Sequence, residues 1–438
     1  MSATADAYAD QLVRARLSEG ERERKSSLFD RTLSALQRDR DVRAWWVPGR
    51  VEFLGKHTDY AGGPSLLCAV ERGFAVAAAP RDDPRLSICD AVSSQRVEAL
   101  LSPEMSVRQN HWSNYPLTVC RRVVRNFGGL ARGMDMAFAS DLPSAAGLSS
   151  SSALIVGTFL ALADVNDLAL RPEYQAEIHG QEDLAGYLGA IENGGGFRSF
   201  AGDRGVGTQG GSEDHTAILC GRAHALVQYR YAPIRFERAI ALPNDHQFVI
   251  GVSGVVASKT GNARTLYNRA AERAAEALRV WRQSTGSAAP TLGAALIETP
   301  DAMERFRSVL AEQHELLDRV EQFAEETTLV QAAGDALQRG DLDRLGSLVD
   351  QSQACAERWL GNQTPETMEL ARSARALGAV AASAFGAGFG GSVYALVPEE
   401  YASDFRDRWA ERYAVAFPKR RARATFFVSA AGPAAIKL

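Results

Sequence analysis

The segment DLPSAAGLSSSSAL, residues 141–154, constrains the fold more than any other part of the sequence. A strand is expected to end at Pro143, a turn of small residues follows, and a helix is predicted to begin near Ser150. Because residues 145–147 have almost no side chains, a ligand can approach their backbone closely. The serines that follow lie where the first turn of a helix has free N–H groups, which together with the helix dipole favour an anion.

This turn has two interpretations. It is a phosphate-binding loop whose serine hydroxyls can also reach Mg²⁺, or it is a helix N-cap with surplus serines. No G-K-[ST] follows its glycine, so it is not a Walker A loop, and it lacks the G-x-G-x-x-G pattern of a dinucleotide site. Phosphate binding at this turn would therefore belong to a different class.

The composition sets outer limits on the function. The chain has 438 residues, 46% apolar and 23% charged, with a formal charge of −4, which indicates a globular protein of several domains. Without a basic excess, neither a nucleic acid nor an anionic membrane is the expected partner. The five cysteines are scattered, the first residues lack the apolar core of a signal peptide, and the longest apolar run, 153–163, is too short to span a bilayer. A soluble, cytoplasmic protein is therefore expected.

The hydrophobic pattern predicts an α+β fold, because strands and helices mix without regular βαβ alternation. Strands are predicted at 43–54 in two pieces, 65–80 in two segments (the first a strand or short helix), 86–101 as a hairpin, 134–143, 215–221, 224–232, 236–242, 246–254 and within 386–397 and 423–430. Helices are predicted at 8–40 (one or two), 110–128, 153–165, 262–283, 301–323, 326–338, 341–360 and 364–377. Residues 194–211 contain eight glycines and are predicted to be a loop or a lid.

Three motifs in order resemble those of a known family. GRVEFLGKHTDYAGG, residues 49–63, is identical at ten of 15 positions to GRVNLIGEHTDYNGG, the usual signature of galactokinases. Residues 141–153 resemble the phosphate loop of the GHMP kinases, and GAGFGGSVYALV, 386–397, resembles their third, glycine-rich motif. The resemblance implies a two-domain α+β fold, divided here at 1–242 and 243–438, with the active site in the cleft between the domains.

The resemblance also implies an ATP- and Mg²⁺-dependent sugar 1-kinase that acts on a galactose-like monosaccharide. Arg50 and Asp214 match catalytic residues of the family, and Ser151 and Glu192 match its Mg²⁺ ligands, with Glu182 or Glu213 as alternatives to Glu192. The matches to sugar-binding positions are Lys56, His57, Asp59, Tyr267 and Gly388, with Gly386, Gly390 and Gly391 in the same motif. The phosphate loop that would hold the nucleotide comprises Pro143, Ala145, Gly147, Leu148, Ser149, Ser150, Ser151 and Ser152.

The sequence departs from galactokinases where the sugar is expected to bind. Lys56 stands where the family has glutamate, and an ammonium group donates hydrogen bonds but accepts none. If Lys56 faces the sugar, a uronic acid with a C6 carboxylate would suit it. Alternatively, Glu52, which replaces the family's asparagine, forms an ion pair with Lys56. A further departure is Ala145, which replaces the first glycine of the phosphate loop.

Two rival functions remain at this stage. A sugar and nucleotide sensor that has lost catalysis would share the fold, but Arg50, Asp214 and the serines are retained. A mevalonate-type GHMP kinase would lack the HTDY sequence at 57–60. The expected partners are a small-molecule sugar and ATP, and the expected oligomeric state is a monomer or a weak homodimer.

Overall fold

The computed structural model describes residues 3–38, 40–130, 132–144, 146–255 and 262–438 and has an α+β fold, as the sequence predicts. Its strands are β1 Arg43–Leu54, β2 Pro64–Pro80, β3 Arg85–Asp90, β4 Arg96–Leu100, β5 Met134–Ser140, β6 Ala225–Arg230, β7 Arg235–Ala241, β8 His246–Val252, β9 Ala381–Phe385, β10 Ser392–Pro398, β11 Thr425–Ser429, β12 Ala431–Gly432 and β13 Ile436–Lys437. Its α-helices are α1 Ala3–Arg14, α2 Arg22–Leu36, α3 Asn114–Phe127, α4 Ser150–Val165, α5 Pro172–Glu177, α6 Gln181–Asn193, α7 Glu213–Cys220, α8 Asn262–Thr285, α9 Leu292–Leu296, α10 Ala302–Val309, α11 His314–Gln338, α12 Leu342–Cys355, α13 Pro365–Ala376 and α14 Ala402–Ala416.

The first sheet is built around the long antiparallel pair β1 and β2. Strand order runs β13-β1-β2-β5-β3-β4, and β12 and β6 also pair with β2. Trp45 and Val76 are paired and pack in the cluster that contains α4, whereas the neighbouring pair, Trp46 and Ala75, packs in the cluster that contains α1 and α2. Burial on both faces explains why the apolar run of β2 is one continuous strand rather than the two predicted segments.

Strand β1 is also continuous, although the sequence predicts a break near Pro48. The break is accommodated by a shift in register between Pro48 and Arg50, and a second shift follows between Glu52 and Leu54. Such irregularities increase local twist and redirect side chains, and they are frequent beside active sites. The two shifts flank Arg50 and Glu52, which both line the candidate site described below.

The second sheet is antiparallel, in the order β11-β8-β10-β9, and is covered by the C-terminal helices. The chain then returns to the first sheet, where β12 pairs with β2 and β13 pairs with β1. The division at residues 242 and 243 stays a prediction.

Two further predictions of secondary structure are wrong, one for a strand and one for the division between two helices. Residues 215–221 were predicted as a strand, but they lie in or directly after helix α7. A short apolar run fits either element, and the acidic residues Glu213 and Asp214 in the first turn of α7 favour the helix. The predicted helices 301–323 and 326–338 divide instead between Val309 and His314, so α11 runs unbroken to Gln338.

The glycine-rich segment 194–211 is a loop, as predicted, but much of it is folded against the protein rather than placed as a lid. Phe200 packs against Phe127, with ring centroids 5.0 Å apart. The Asp203 side chain is 1% exposed and accepts a 2.9 Å hydrogen bond from Arg121 Nε. The loop is thereby fixed to α3, and its last two glycines border the candidate site.

We expect Asp203→Asn to lower the free energy of unfolding by about 3 kcal/mol, because it leaves the buried arginines Arg121 and Arg122 without their counter-charge. Denaturant unfolding measures this change. The control is Glu104→Gln, since Glu104 is 84% exposed and its pairing with Arg125 should contribute little. Equal stability of the two variants would contradict the role assigned to Asp203.

Candidate active site

An ion pair between Arg50 and Asp214 forms the centre of the site. Arg50 Nε and Nη2 lie 2.7 Å and 2.6 Å from Asp214 Oδ1, and Arg50 Nη1 donates to the carbonyl of Gly147 at 2.5 Å. Burial acts to lower the pKa of Arg50, but nearby carboxylates, Asp214 first among them, outweigh it, and the net direction is upward. Arg50 therefore remains a fixed positive charge that links β1, α7 and the phosphate loop.

Two cavities meet at this ion pair, and Arg50 and Ala387 line both. The acidic cavity is the one whose lining contains five carboxyl groups, those of Glu52, Asp59, Glu192, Glu213 and Asp214. The apolar cavity lies on the other side of Arg50 and has a largely apolar wall of Phe74, Val92, Trp112, Tyr115, Phe138 and Leu154. The arrangement can place two different ligands against one arginine.

Three of the predicted sugar-binding residues line the acidic cavity together. His57 has a left-handed backbone (φ 60°), and its Nδ1 lies 2.9 Å from the hydroxyl of Tyr60. Asp59 Oδ2 accepts a 3.0 Å hydrogen bond from the backbone N–H of Glu213. The ring of Tyr267, on α8, lies 5.2 Å from that of His57. A strained histidine held by neighbouring groups is typical of a ligand site.

Gly211 packs directly against Asp59. A Cβ atom at this position would lie 2.3 Å from Asp59 Oδ2, so Gly211→Ala must displace the carboxylate. We expect the KM for sugar to rise at least about tenfold, with a smaller change in kcat, as measured by steady-state kinetics. Gly20→Ala is the control, because no atom lies within 4 Å of its added Cβ. An unchanged KM in Gly211→Ala would contradict the placement of Asp59.

The candidate metal ligand Glu192 lines the acidic cavity and accepts a 2.9 Å hydrogen bond at Oε2 from the Ser152 hydroxyl. That hydroxyl also lies 3.2 Å from Asp214 Oδ2. The assignment of Ser151 and Glu192 to Mg²⁺ stays a prediction. Ser151 lines the apolar cavity. Of the two alternatives to Glu192, Glu213 lines the acidic cavity, whereas Glu182 accepts a hydrogen bond from Tyr229 outside the described lining of both cavities.

The donor set fits Mg²⁺. A carboxylate and a serine hydroxyl in contact at the junction of two cavities are oxygen ligands, and Mg²⁺ usually takes one or two protein ligands and completes its shell with phosphate oxygens and water. Over the described ranges, no cluster of three or more His, Cys, Asp and Glu side chains is arranged to hold a metal ion. Two oxygen ligands from the protein would leave most of the coordination shell of Mg²⁺ to other ligands.

The phosphate loop opens onto the apolar cavity. Ser149 is the N-cap of α4 and has a left-handed backbone (φ 60°), and its buried hydroxyl has no hydrogen-bond partner among the described residues. Gly147, Ser149, Ser150 and Ser151 line the cavity, whereas Leu148 and Ser152 are buried beneath it. Pro143 is half-buried between two residues of the lining, and Ala145 lies outside the described residues.

The third glycine-rich motif presses against the phosphate loop. The Ser392 hydroxyl donates to the carbonyl of Ala146 at 2.5 Å, and a Cβ at Gly386 would lie 2.9 Å from the carbonyl oxygen of Gly147. Gly388 packs against Asn362, whose side-chain nitrogen would lie 2.5 Å from an added Cβ, and its contact with the sugar stays a prediction. Within this motif, Gly386 and Ala387 line the acidic cavity.

Lys56, one of the predicted sugar-binding residues, directs its ammonium group to α12. Its side chain is 1% exposed, its ammonium group donates to the Ser352 hydroxyl at 2.8 Å, and it is not part of the described lining of either cavity. Ser352 in turn donates to Glu326 Oε2 at 2.8 Å. Glu52 and Lys56 form no direct ion pair among the described side chains, but Lys56 opposes the effect of burial, which raises the pKa of Glu52 to about 7.

Sequence reasoning missed three parts of the site. It did not predict that Glu52 faces the cavity. It predicted a helix at 110–128 but did not predict that Trp112, just before α3, and Tyr115, in its first turn, line a cavity. It also missed three polar residues of α11, Arg319, Gln322 and Glu326, which hold the backbone of the 55–57 turn. Their spacing on one helix face was the available signal, but polar residues on a helix ordinarily indicate solvent exposure.

Comparison with known proteins identifies the family. Residues 35–80 match the galactokinase galactose-binding signature, residues 114–195 the GHMP kinase N-terminal domain and residues 335–415 the GHMP kinase C-terminal region. The galactokinase of Lactococcus lactis complexed with galactose is a structural match, with 22% identity, a TM-score of 0.79 and coverage of 94% of this chain and 99% of that chain. A D-glycero-D-manno-heptose 1-phosphate kinase from Bacteroides thetaiotaomicron matches with 12% identity, a TM-score of 0.56 and coverage of 91% and 98%.

Leishmania major mevalonate kinase also matches, with 18% identity, a TM-score of 0.55 and coverage of 89% of this chain and 96% of that chain. At identities of 12–22%, the structural matches establish only the fold. The matches to the three family models identify the motifs of the family in this chain. The chain belongs to the GHMP kinase superfamily and carries the galactose-binding signature of galactokinases. It is an ATP-dependent sugar kinase. Among the described helices, none has the length and apolar character needed to cross a membrane.

Proposed function

We propose that this kinase transfers the γ-phosphoryl group of ATP to the anomeric hydroxyl of a galactose-like monosaccharide. The observation that carries the proposal is the Arg50–Asp214 pair at the junction of the two cavities. The galactokinase signature lines the acidic cavity, and the phosphate loop lines the apolar cavity. A sugar hydroxyl and a terminal phosphate would therefore meet beside one carboxylate and one guanidinium.

Asp214 is proposed to orient the reacting hydroxyl and to accept its proton. Its Oδ1 is occupied by Arg50, and its Oδ2 lies near the Ser152 hydroxyl, so the carboxylate is held in one orientation. Fixed orientation matters because phosphoryl transfer depends on in-line positioning more than on covalent catalysis. Accepting the proton as the new oxygen–phosphorus bond forms is general-base assistance.

Arg50 is proposed to stabilise the negative charge that develops on the transferred group. Its guanidinium is already oriented by Asp214 and by the carbonyl of Gly147, so it requires little rearrangement during the reaction. Glu192 and the serines of the phosphate loop are the proposed ligands of Mg²⁺, with Ser151 from the sequence motif and Ser152 from its contact with Glu192. When bound with the nucleotide, Mg²⁺ supplies further neutralisation of phosphate charge.

The nucleotide base is proposed to occupy the apolar cavity. Trp112, Tyr115 and Phe138 provide aromatic surface there, and α4 presents its N-terminus to the same cavity. Aromatic faces suit a planar base, and free N–H groups at a helix N-terminus suit phosphates. His57, Asp59 and Tyr267 are the proposed sugar ligands on the opposite side of Arg50.

Sugar-dependent formation of ADP tests this function. The purified protein should release ADP from ATP and Mg²⁺ when galactose or a related aldose is added, and at most a background rate without sugar. Galactose with a methylated anomeric oxygen is the matched control, because it keeps every other hydroxyl. Equal turnover of the methylated sugar would contradict transfer to the anomeric position, and no turnover across a panel of aldoses would contradict the function.

A further inference from the structure

Two glutamates form part of the wall of the acidic cavity. Glu52 stands in place of the asparagine of the galactokinase signature, and Glu213 directly precedes Asp214. Both carboxyls are almost fully buried, at 3% and 5% exposure, and both line the cavity. The Ser65 hydroxyl donates to Glu213 Oε2 at 2.9 Å.

The two carboxyls have unused hydrogen-bonding capacity. Oε1 of Glu52 and Oε1 of Glu213 each receive no hydrogen bond from the described residues. A buried acceptor without a donor is costly, so a ligand that supplies donors gains affinity. Burial, and then the presence of Glu52, raises the pKa of Glu213 well above its usual value.

The lining around the pair contains more acidic than basic side chains, since Asp59, Glu192 and Asp214 belong to it as well. Arg50 is the one lysine or arginine among the described lining residues, and it already pairs with Asp214. Lys56 offers its ammonium group to Ser352, on α12, rather than to the cavity. A carboxylate brought into this space would be desolvated beside several like charges, which is unfavourable. A hydroxyl or ammonium group would instead meet acceptors.

We propose that Glu52 and Glu213 form a donor-selecting subsite, which binds hydroxyl or ammonium groups of the sugar and rejects a carboxylate. The inference rests on the proposed sugar-binding function of the acidic cavity. It replaces the uronic acid that Lys56 suggested with the opposite class, a neutral or amino sugar. Because an ammonium group supplies three donors and a compensating charge, an amino sugar is expected to bind more tightly than the parent sugar.

Calorimetric titration without ATP tests the subsite on the full-length protein. The probes are galactose, galacturonic acid and galactose derivatives with an amino group at C2 or at C6, at a pH at which the amine is charged. We expect galacturonic acid to bind at least about 100-fold more weakly than galactose, and at least one amino sugar to bind more tightly than galactose. Galacturonic acid that binds as well as galactose, or amino sugars that all bind more weakly, would overturn the proposal.

Two isosteric variants locate the effect. Glu52→Gln and Glu213→Gln should each reduce the penalty against galacturonic acid and the preference for the amino sugar by about tenfold or more. Glu400→Gln is the matched control, because Glu400 is exposed and is not part of the described lining of either cavity. Variants that weaken binding of every sugar by the same factor would show a merely structural role and overturn the subsite. If a variant fails to fold, the order in which the wild-type protein binds galactose, galacturonic acid and the amino sugars still decides between the outcomes.

Turnover separates this inference from the proposed function. If the sugars bind in the predicted order but no phosphoryl transfer follows, the kinase proposal fails and the subsite stands. If galacturonic acid is phosphorylated with the same kcat/KM as galactose, the subsite is wrong and the kinase proposal stands.

Discussion

Replacing Asp214 by asparagine is expected to lower kcat at least about 1,000-fold, equivalent to about 4 kcal/mol of transition-state stabilisation. Asparagine keeps the size and shape of the side chain but cannot accept the proton of the sugar hydroxyl, and it leaves Arg50 without its counter-charge. Steady-state kinetics with ATP and sugar measures the loss. Sugar binding in calorimetry should change far less, because Asp59 and His57 remain in place.

The control for this variant is Asp245→Asn, which makes the same chemical change on a side chain that is 81% exposed. We expect wild-type kcat from the control. If Asp214→Asn retains kcat within about tenfold of wild type, Asp214 is not the catalytic carboxylate. A parallel loss of sugar affinity and thermal stability would instead indicate that the substitution disrupts the ion pair.

The second large effect is expected on stability, from Glu326→Gln. Glu326 is fully buried on α11 and accepts hydrogen bonds from the backbone N–H groups of Gly55 and Lys56, at 2.8 Å and 3.2 Å. It also accepts from Ser352, which receives the hydrogen bond of the Lys56 ammonium. Removing its charge leaves the ammonium buried without this counter-charge, so we expect a loss of about 3 kcal/mol. Denaturant unfolding measures the change.

The double variant Lys56→Met with Glu326→Gln distinguishes charge compensation from packing. Methionine fills a volume similar to that of the lysine stem and removes the uncompensated ammonium, so the double variant should recover most of the stability lost in Glu326→Gln. Additive losses from the two substitutions would contradict a charge network around Ser352. In that case Lys56 would be available for a different role.

The same three residues of α11 explain how the C-terminal half of the chain positions the galactokinase signature. Glu326 binds the backbone at Gly55, the side-chain amide of Gln322 donates to the carbonyl of Lys56 at 3.0 Å, and Arg319 donates to the carbonyl of His57 at 2.5 Å. Three consecutive backbone groups of the turn are therefore fixed from one helix face. A substitution of Glu326 that lowers the stability of the protein should therefore also weaken sugar binding, because it loosens the turn that carries His57.

The sequence was sufficient to predict the fold class, the family and the segments that form the site. These predictions succeeded because the signature turn and the phosphate loop are each formed by one short segment. The closely spaced glycines and serines of such a segment are sufficient to identify it. Ser149 illustrates the point, since its position before α4 follows from the sequence alone. Helix α7 was missed because eight residues are too few for periodicity to distinguish a helix from a strand.

The direction of individual side chains could not be predicted. Lys56 lies next to His57 in the signature, yet its ammonium group is drawn toward Ser352, almost 300 residues further along the chain. Ser152, rather than its neighbour Ser151, contacts Glu192, because α4 turns successive serines to different sides. Such outcomes depend on contacts between distant segments, which a motif does not contain.

The position of the transferred phosphate tests the central claim most directly. Wild-type protein would be incubated with ATP, Mg²⁺ and galactose labelled with ¹³C at C1, and the product examined by ³¹P and ¹³C NMR. We predict a galactose 1-phosphate, seen as coupling between phosphorus and the labelled C1. The Asp214→Asn variant should form far less of this product. A phosphate on another carbon, or ADP released without any sugar phosphate, would contradict the account.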